Sequence, residues 1–328
     1  MTHLSPKYGE KIDLAARAAW LYYVAGNTQH EIAQKLQISR PAAQRLVALA
    51  LESGIVKVRV HHEVGSCLEI ANAIKGRYNL AHCEVVPSDG DSRDQILRKI
   101  AVAGASVMES YFGRTEPTII AVSSGRTIKA VIDELTPLSR PQHRLVSLVG
   151  AIAHDGSSNP YDVAMRVAEK SGSKYFLLPA PLLADSTDER KQWCNHRLYR
   201  VVEALAQRAD VAFVGIGEIG INCPLHCDGF ITEEEATELV RAGAVGETLG
   251  WTFDCDGQPV TRGIQNRVTS ISLRRPSKKP VIAFAAAKHK AEAVLGALRG
   301  QWINGLVTDE GCAKRILDLM NEQSAKES

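Results

Sequence analysis

The sequence predicts an α/β protein in two parts, an N-terminal helix-turn-helix head and a larger body built on a mostly parallel, doubly wound sheet. Three observations point there. The opening segment is basic, with apolar residues at helical spacing; from residue 65 onward, strand-length apolar runs alternate with helical patterns; and 328 residues suffice for two domains with a sizeable core. Residues 1–60 carry eight Lys/Arg and four Asp/Glu, a net +4 in a chain of net +2, so the remainder is slightly acidic. That asymmetry suits a binder of the nucleic-acid backbone (1–60) joined to a sensor or oligomerisation domain (61–328).

With 45% hydrophobic and 23% charged residues the composition is globular rather than disordered. No apolar stretch approaches the roughly 20 residues needed to cross a bilayer. Met1 to Glu10 lacks a secretory apolar run, so a cytoplasmic protein with no membrane association is expected. Seven irregularly spaced cysteines read as reduced thiols. Cys223, His226 and Cys227 have no second cluster to complete a zinc site, and no metal is expected.

In the head, Ile12, Ala16, Ala19 and Tyr23 recur at helical spacing and predict a first helix over Lys11 to Ala25, closed by Gly26. Thr28-Gln-His-Glu31 reads as a capping box ahead of a short second helix with Ile32, Ala33 and Leu36 inward. Ser39 then caps a third helix that tolerates Pro41 in its first turn, turns Ala43, Leu46, Val47 and Ala50 inward, and ends near Gly54. Two helices joined so tightly form the unit that lays its second helix in the major groove of DNA. Arg40, Gln44 and Arg45 are left to project outward. Arg donates in pairs to guanine and Gln pairs with adenine, while Ser39 and Gln29 can reach phosphates. A plain three-helix bundle with a solvated polar face is the alternative. Ile55 to Val60 alternates apolar and basic residues and predicts a short strand, with His61 and His62 in a solvated linker.

The body's expected strand and helix pairs run in series: Glu84 to Pro87 before Gln95 to Tyr111, Thr118 to Val122 before Thr127 to Leu135, Leu145 to Val149 before Asp162 to Lys170, and Tyr175 to Leu178 before Asp188 to Arg208. Asp210 to Ile216 and Val281 to Ala286 continue the strands. Ligands of such sheets sit beyond the carboxyl ends of the strands, so the loops there are the place to look.

The loop Ser123-Ser-Gly-Arg-Thr127 joins a strand to a helix N-terminus, whose amides and dipole favour an anion, and Ser124, Arg126 and Thr127 add hydroxyls and a cation. A turn merely capped by serine is the competing reading. Gly215-Ile-Gly-Glu-Ile-Gly220 matches the dinucleotide fingerprint, but Pro224 stands where the required helix should run, so no nicotinamide cofactor is expected. Lys288-His-Lys290 puts lysines at another strand end, able to meet phosphate or carboxylate. Asp254 and Asp256, before Gly257, are turn residues or acceptors for sugar hydroxyls.

Taken together, these segments resemble the bacterial sugar-binding transcriptional regulators of the sorbitol-operon regulator (SorC) type over nearly the whole chain. The resemblance rests on Ile38-Ser-Arg-Pro41, Gly54-Ile-Val, Ser124-Gly-Arg-Thr127, Leu178-Pro-Ala-Pro181, Val214-Gly-Ile-Gly217, Gly243-Ala-Val-Gly-Glu247, Phe253-Asp-Cys-Asp-Gly257, Lys290-Ala-Glu-Ala293, Leu298-Arg-Gly300 and Val307-Thr-Asp-Glu310. It implies an effector domain similar to sugar-phosphate isomerases and glucosamine-phosphate deaminases, assembly as a homodimer or homotetramer, and operator DNA affinity tuned by a sugar, polyol or sugar-phosphate effector. By position it puts an effector phosphate on Ser124, Gly125, Arg126 and Thr127 with Lys290 opposite, and hydroxyl contacts near Gly217, Glu218 and Asp254. Ser123 and Ala285-Ala-Ala287 stand where the family commonly has glycine. Their Cβ atoms narrow the space for an anion and keep open a smaller phosphosugar or an unphosphorylated polyol.

The expected function is therefore regulation of a carbohydrate or polyol catabolic operon, with no catalytic residues. The rival is a sugar-phosphate isomerase or deaminase carrying a helical appendage, and no acid-base set is defensible from spacing alone.

Overall fold

The computed structural model describes residues 6–56, 65–152 and 163–327, and the chain divides into two compact units, Met1–His62 and Glu63–Ser328. In the first, α1 (Pro6–Tyr23), α2 (Gln29–Leu36) and α3 (Arg40–Glu52) surround a core in which Ile32, Leu46 and Val47 meet six alanines. Small side chains let the helices approach closely. Both halves of the capping box form at α2: the Glu31 amide donates to Thr28 Oγ1, and the Thr28 amide donates to the Glu31 carboxylate at 2.7 Å. Ser39 caps α3 through the Ala42 amide, and α3 buries Ala43, Leu46, Val47 and Ala50.

The inward stripe of α1 differs from expectation. It runs along Ala15, Ala18 and Ala19, while Ala16 is half-buried and Tyr23 exposed. Paired alanines at 15–16 and 18–19 carry no hydropathy contrast by which the sequence could choose between neighbouring stripes. Beyond α3, the Val56 amide folds back to the Ala50 carbonyl. The rest of the expected strand, with His61 and His62, lies outside the described residues.

The body is a seven-stranded, wholly parallel sheet in the order β1-β10-β9-β5-β2-β3-β4. Its strands are β1 (His82–Val86), β2 (Ile119–Val122), β3 (Arg144–Ile152), β4 (Lys174–Pro181), β5 (Val211–Gly215), β9 (Val281–Ala285) and β10 (Gly305–Asp309). Alternate residues face opposite layers. Val211 and Phe213 join Ile120, Ile282 and Phe284 in one core, and Ala212 and Val214 join Ala121, Ala283 and Leu306 in the other. Both faces are therefore apolar, as a helix-covered parallel sheet requires.

The covering helices are α4 (Gly65–Tyr78), α5 (Arg93–Phe112), α6 (Arg126–Asp133), α7 (Ala164–Ser171), α8 (Thr187–Asn195), α9 (Arg197–Ala206), the short α10 (Pro224–Cys227), α11 (Glu233–Arg241), α12 (Ala291–Arg299) and α13 (Glu310–Glu327). Three short antiparallel strands, β6 (Gly217–Glu218), β7 (Gly246–Thr248) and β8 (Trp251–Phe253), form a second sheet between β5 and β9 in sequence. The single helix expected over Asp188 to Arg208 is broken at His196, whose extended backbone ends α8 and whose ring accepts the Leu198 amide to start α9.

Candidate functional site

Arg40, Gln44 and Arg45 are exposed on α3, with the helix's apolar residues turned into the head core. Arg45 Nε donates to the Pro41 carbonyl at 3.3 Å, which steadies the side chain. Ser39 is exposed and Gln29, at the start of α2, is half-buried. A two-helix unit with guanidinium and amide groups on the outer face of its second helix has the chemistry for reading base edges in a groove.

In the body, a cleft of about 440 Å3 opens at the carboxyl ends of β2, β5 and β9. It brings together Ser124, Gly125, Arg126 and Thr127 from the first loop, Gly217 and Glu218 from the second, and Lys290 from the third. Ser123 ties the first two loops: its amide donates to the Phe213 carbonyl and its hydroxyl accepts the Gly215 amide. Gly125, at φ 131°, starts α6 without a capping side chain, so the positive end of α6 meets the cleft uncapped by its own N-cap. Asp254 is not among the lining residues. Its carboxylate accepts the amides of Asp256 and Gln258 at 3.0 and 2.8 Å, the turn-building one of its two expected roles.

The cleft's charges are organised in pairs. Lys290, nearly buried, donates to the Ile216 carbonyl at 2.9 Å and lies 3.4 Å from Glu218 Oε2, and His289 Nε2 is 3.5 Å from Glu218 Oε1. Burial works against the Glu218 carboxylate, but the charges of Lys290 and His289 together with hydrogen bonds outweigh it and hold its pKa below the ordinary value. Glu247 accepts the Gly250 amide at 2.8 Å and packs where Gly217 lacks a side chain. Burial pushes its carboxyl up, against the pull of the Gly250 amide and Lys290, and Glu218 adds like-charge repulsion. Across the cleft, Arg126 and Asp228 form a 2.6 Å ion pair.

Arg93, Asp94, Asp228, Phe230 and Glu247 also line the cleft and were not singled out from sequence. Glu247 stood in the Gly243-Ala-Val-Gly-Glu247 string without a role. Asp228 and Arg126 are 102 positions apart, and nothing in the one segment marks the other. The dinucleotide-like glycines lead into β6, which pairs with β7, and no helix begins there. Cys223 is buried at the start of α10 and His226 Nδ1 lies against the Ile221 carbonyl; among the described residues no cluster of three His, Cys, Asp or Glu is placed to hold a metal ion.

Residues 62–318 match the family model described as "Putative sugar-binding domain". The chain is 31% identical to the erythritol catabolism regulatory protein EryD of Brucella abortus (strain 2308), over 94% of this chain and 97% of that protein. It is 32% identical to the transcriptional regulator LsrR of Escherichia coli (strain K12), over 92% and 93%. The crystal structure of the full-length sorbitol operon regulator SorC from Klebsiella pneumoniae matches with a TM-score of 0.75 at 26% identity, covering 93% of this chain and 98% of that one. Likeness to transcriptional regulators that spans head and body alike fixes the class as ligand-responsive transcriptional regulators. Within that class the chain belongs to the sugar-binding regulators of the SorC type, with DNA and a sugar effector as its partners. No helix among the described residues is long and apolar enough to cross a membrane.

Proposed function

We propose that residues 1–60 bind operator DNA through Gln29, Ser39, Arg40, Gln44 and Arg45, and that a sugar or polyol effector occupies the cleft of residues 61–328. It lies against Ser124, Gly125, Arg126, Thr127, Gly217, Glu218 and Lys290. The observation that carries this reading is the convergence of three loops, distant in sequence, on one cleft at the strand ends. The protein acts in the cytoplasm as a homodimer or homotetramer, and the effector works by binding one arrangement of its subunits better than another, since equal affinity would shift nothing. The names of EryD and SorC point to polyol catabolism as the regulated process.

Thermal-shift screening of pentoses, hexoses, alditols and their phosphates tests the site, because a ligand of the native form raises the melting temperature by mass action. A stabilising ligand whose effect is lost in Gly217→Val, where the new side chain meets Glu247, supports the cleft; an unchanged effect refutes it.

A further inference from the structure

We infer that the cleft is built for an uncharged polyhydroxy effector, with Asp228 and Glu218 acting as internal anions on the cations that a phosphate would need. This rests on the proposed effector cleft and names the class of ligand it takes.

Two cations of the cleft, Arg126 and Lys290, already have a carboxylate. Arg126, in the first turn of α6, meets Asp228 at 2.6 Å, and Asp228 is mostly sheltered, with 15% of its side chain exposed. Lys290 is held by the Ile216 carbonyl and Glu218. The pKa of Glu218 lies below its ordinary value, so it is ionised at neutral pH. Among the described residues the lining also holds Glu247, whose carboxyl burial pushes up, and an exposed pair at the start of α5, Arg93 and Asp94.

A phosphate entering beside Ser124 and Thr127 would have to displace Asp228 from Arg126 and would set a dianion beside a sheltered carboxylate, an arrangement that like-charge repulsion opposes. A hydroxyl group meets no such opposition. Carboxylates accept hydrogen bonds from vicinal hydroxyls, and the Ser124 and Thr127 hydroxyls donate and accept, so an alditol or free sugar can add to the charge pairs without breaking them. Asp228 is then a specificity-determining residue: it occupies the Arg126 guanidinium from within the chain.

Isothermal titration of the full-length protein with inorganic phosphate, and with alditols and aldoses of four to six carbons alongside their monophosphates, tests this. Wild type should bind at least one uncharged member and bind neither inorganic phosphate nor the matching phosphate ester as tightly. Asp228→Asn should gain affinity for inorganic phosphate of about tenfold or more. That gain should vanish in the Asp228→Asn/Arg126→Ala double variant. Glu218→Gln, which frees Lys290, should shift selectivity toward phosphate esters independently of any folding defect in the first variant. A phosphate ester that binds wild type more tightly than its parent, through Arg126, overturns the inference and leaves the cleft reading standing. Equal phosphate affinity in wild type and a folded Asp228→Asn also overturns it. Sugar binding untouched by Gly217→Val overturns the cleft reading and the inference together.

Discussion

The amide of Ala287 donates a 2.6 Å hydrogen bond to Oδ1 of Asp309, and the bond holds an alanine at φ 92° and ψ 139°, in backbone space used almost wholly by glycine. Asp309 is itself fixed, because its Oδ2 accepts the Cys312 amide at 3.1 Å and the Ser88 hydroxyl at 3.3 Å. The strain therefore sits at the cleft wall, on the turn that leads to Lys290. Ala287→Gly should raise stability by about 1 kcal/mol, the relieved strain less the chain entropy that glycine adds. Urea denaturation reads the change, and a loss of stability would show that the alanine methyl is held favourably. Asp309→Ala should cost about 3 kcal/mol, since it strands two amides that the carboxylate satisfies.

Much of this architecture was legible because local chemistry and fold agree. Thr28 and Glu31 announce the start of α2, Ser39 that of α3, and the strands of the body are continuous apolar runs because both faces of the sheet are covered. Three segments of the cleft were also readable, since each follows a strand with glycine, serine or lysine. The α1 stripe was misread where adjacent alanines carry no contrast, and the break at His196 was missed because a single extended residue leaves no mark in helical periodicity. At Asp254 the sequence left two roles open, because an aspartate that builds a turn and one that receives a hydroxyl look alike there. Pairings such as Arg126 with Asp228 exist only through tertiary geometry.

Arg45 is exposed beside the buried Leu46 and Val47, so its removal should leave the head folded while removing a donor to the groove. Arg45→Ala should weaken specific operator binding by about 1–3 kcal/mol and relax preference at one base pair, with helix content unchanged. Gel-shift titration against the operator and its single-base variants checks this. Unchanged affinity and base preference would remove Arg45 from the interface.

Thr28 both caps α2 and receives the Glu31 carboxylate on its amide. Thr28→Ala should cost the head about 1 kcal/mol, whereas Thr28→Ser should cost much less because the hydroxyl is kept. The residues proposed to contact DNA are untouched by either change, so operator affinity should follow the head's folded fraction. Chemical denaturation followed by circular dichroism separates the two variants.

Glu218 and Glu247 stand within reach of the same lysine, yet their titrations pull in opposite directions. Glu218 has its pKa lowered in the folded protein, so the stability it contributes is present above the ordinary carboxylate range and is lost as pH falls through its depressed value. Glu247 has its pKa raised, so its contribution is present below about 4.5 and is lost as pH rises through the elevated value. At pH 7 Glu247→Gln should therefore melt higher than wild type, with the advantage shrinking as the pH approaches 4.5. Glu218→Gln should melt lower at pH 7, because it leaves Lys290 without its carboxylate, and should converge on wild type in acid. Differential scanning calorimetry from pH 4 to pH 8 gives the three curves. If the two variants changed stability in the same direction across that range, the opposed environments of the two carboxylates would be refuted.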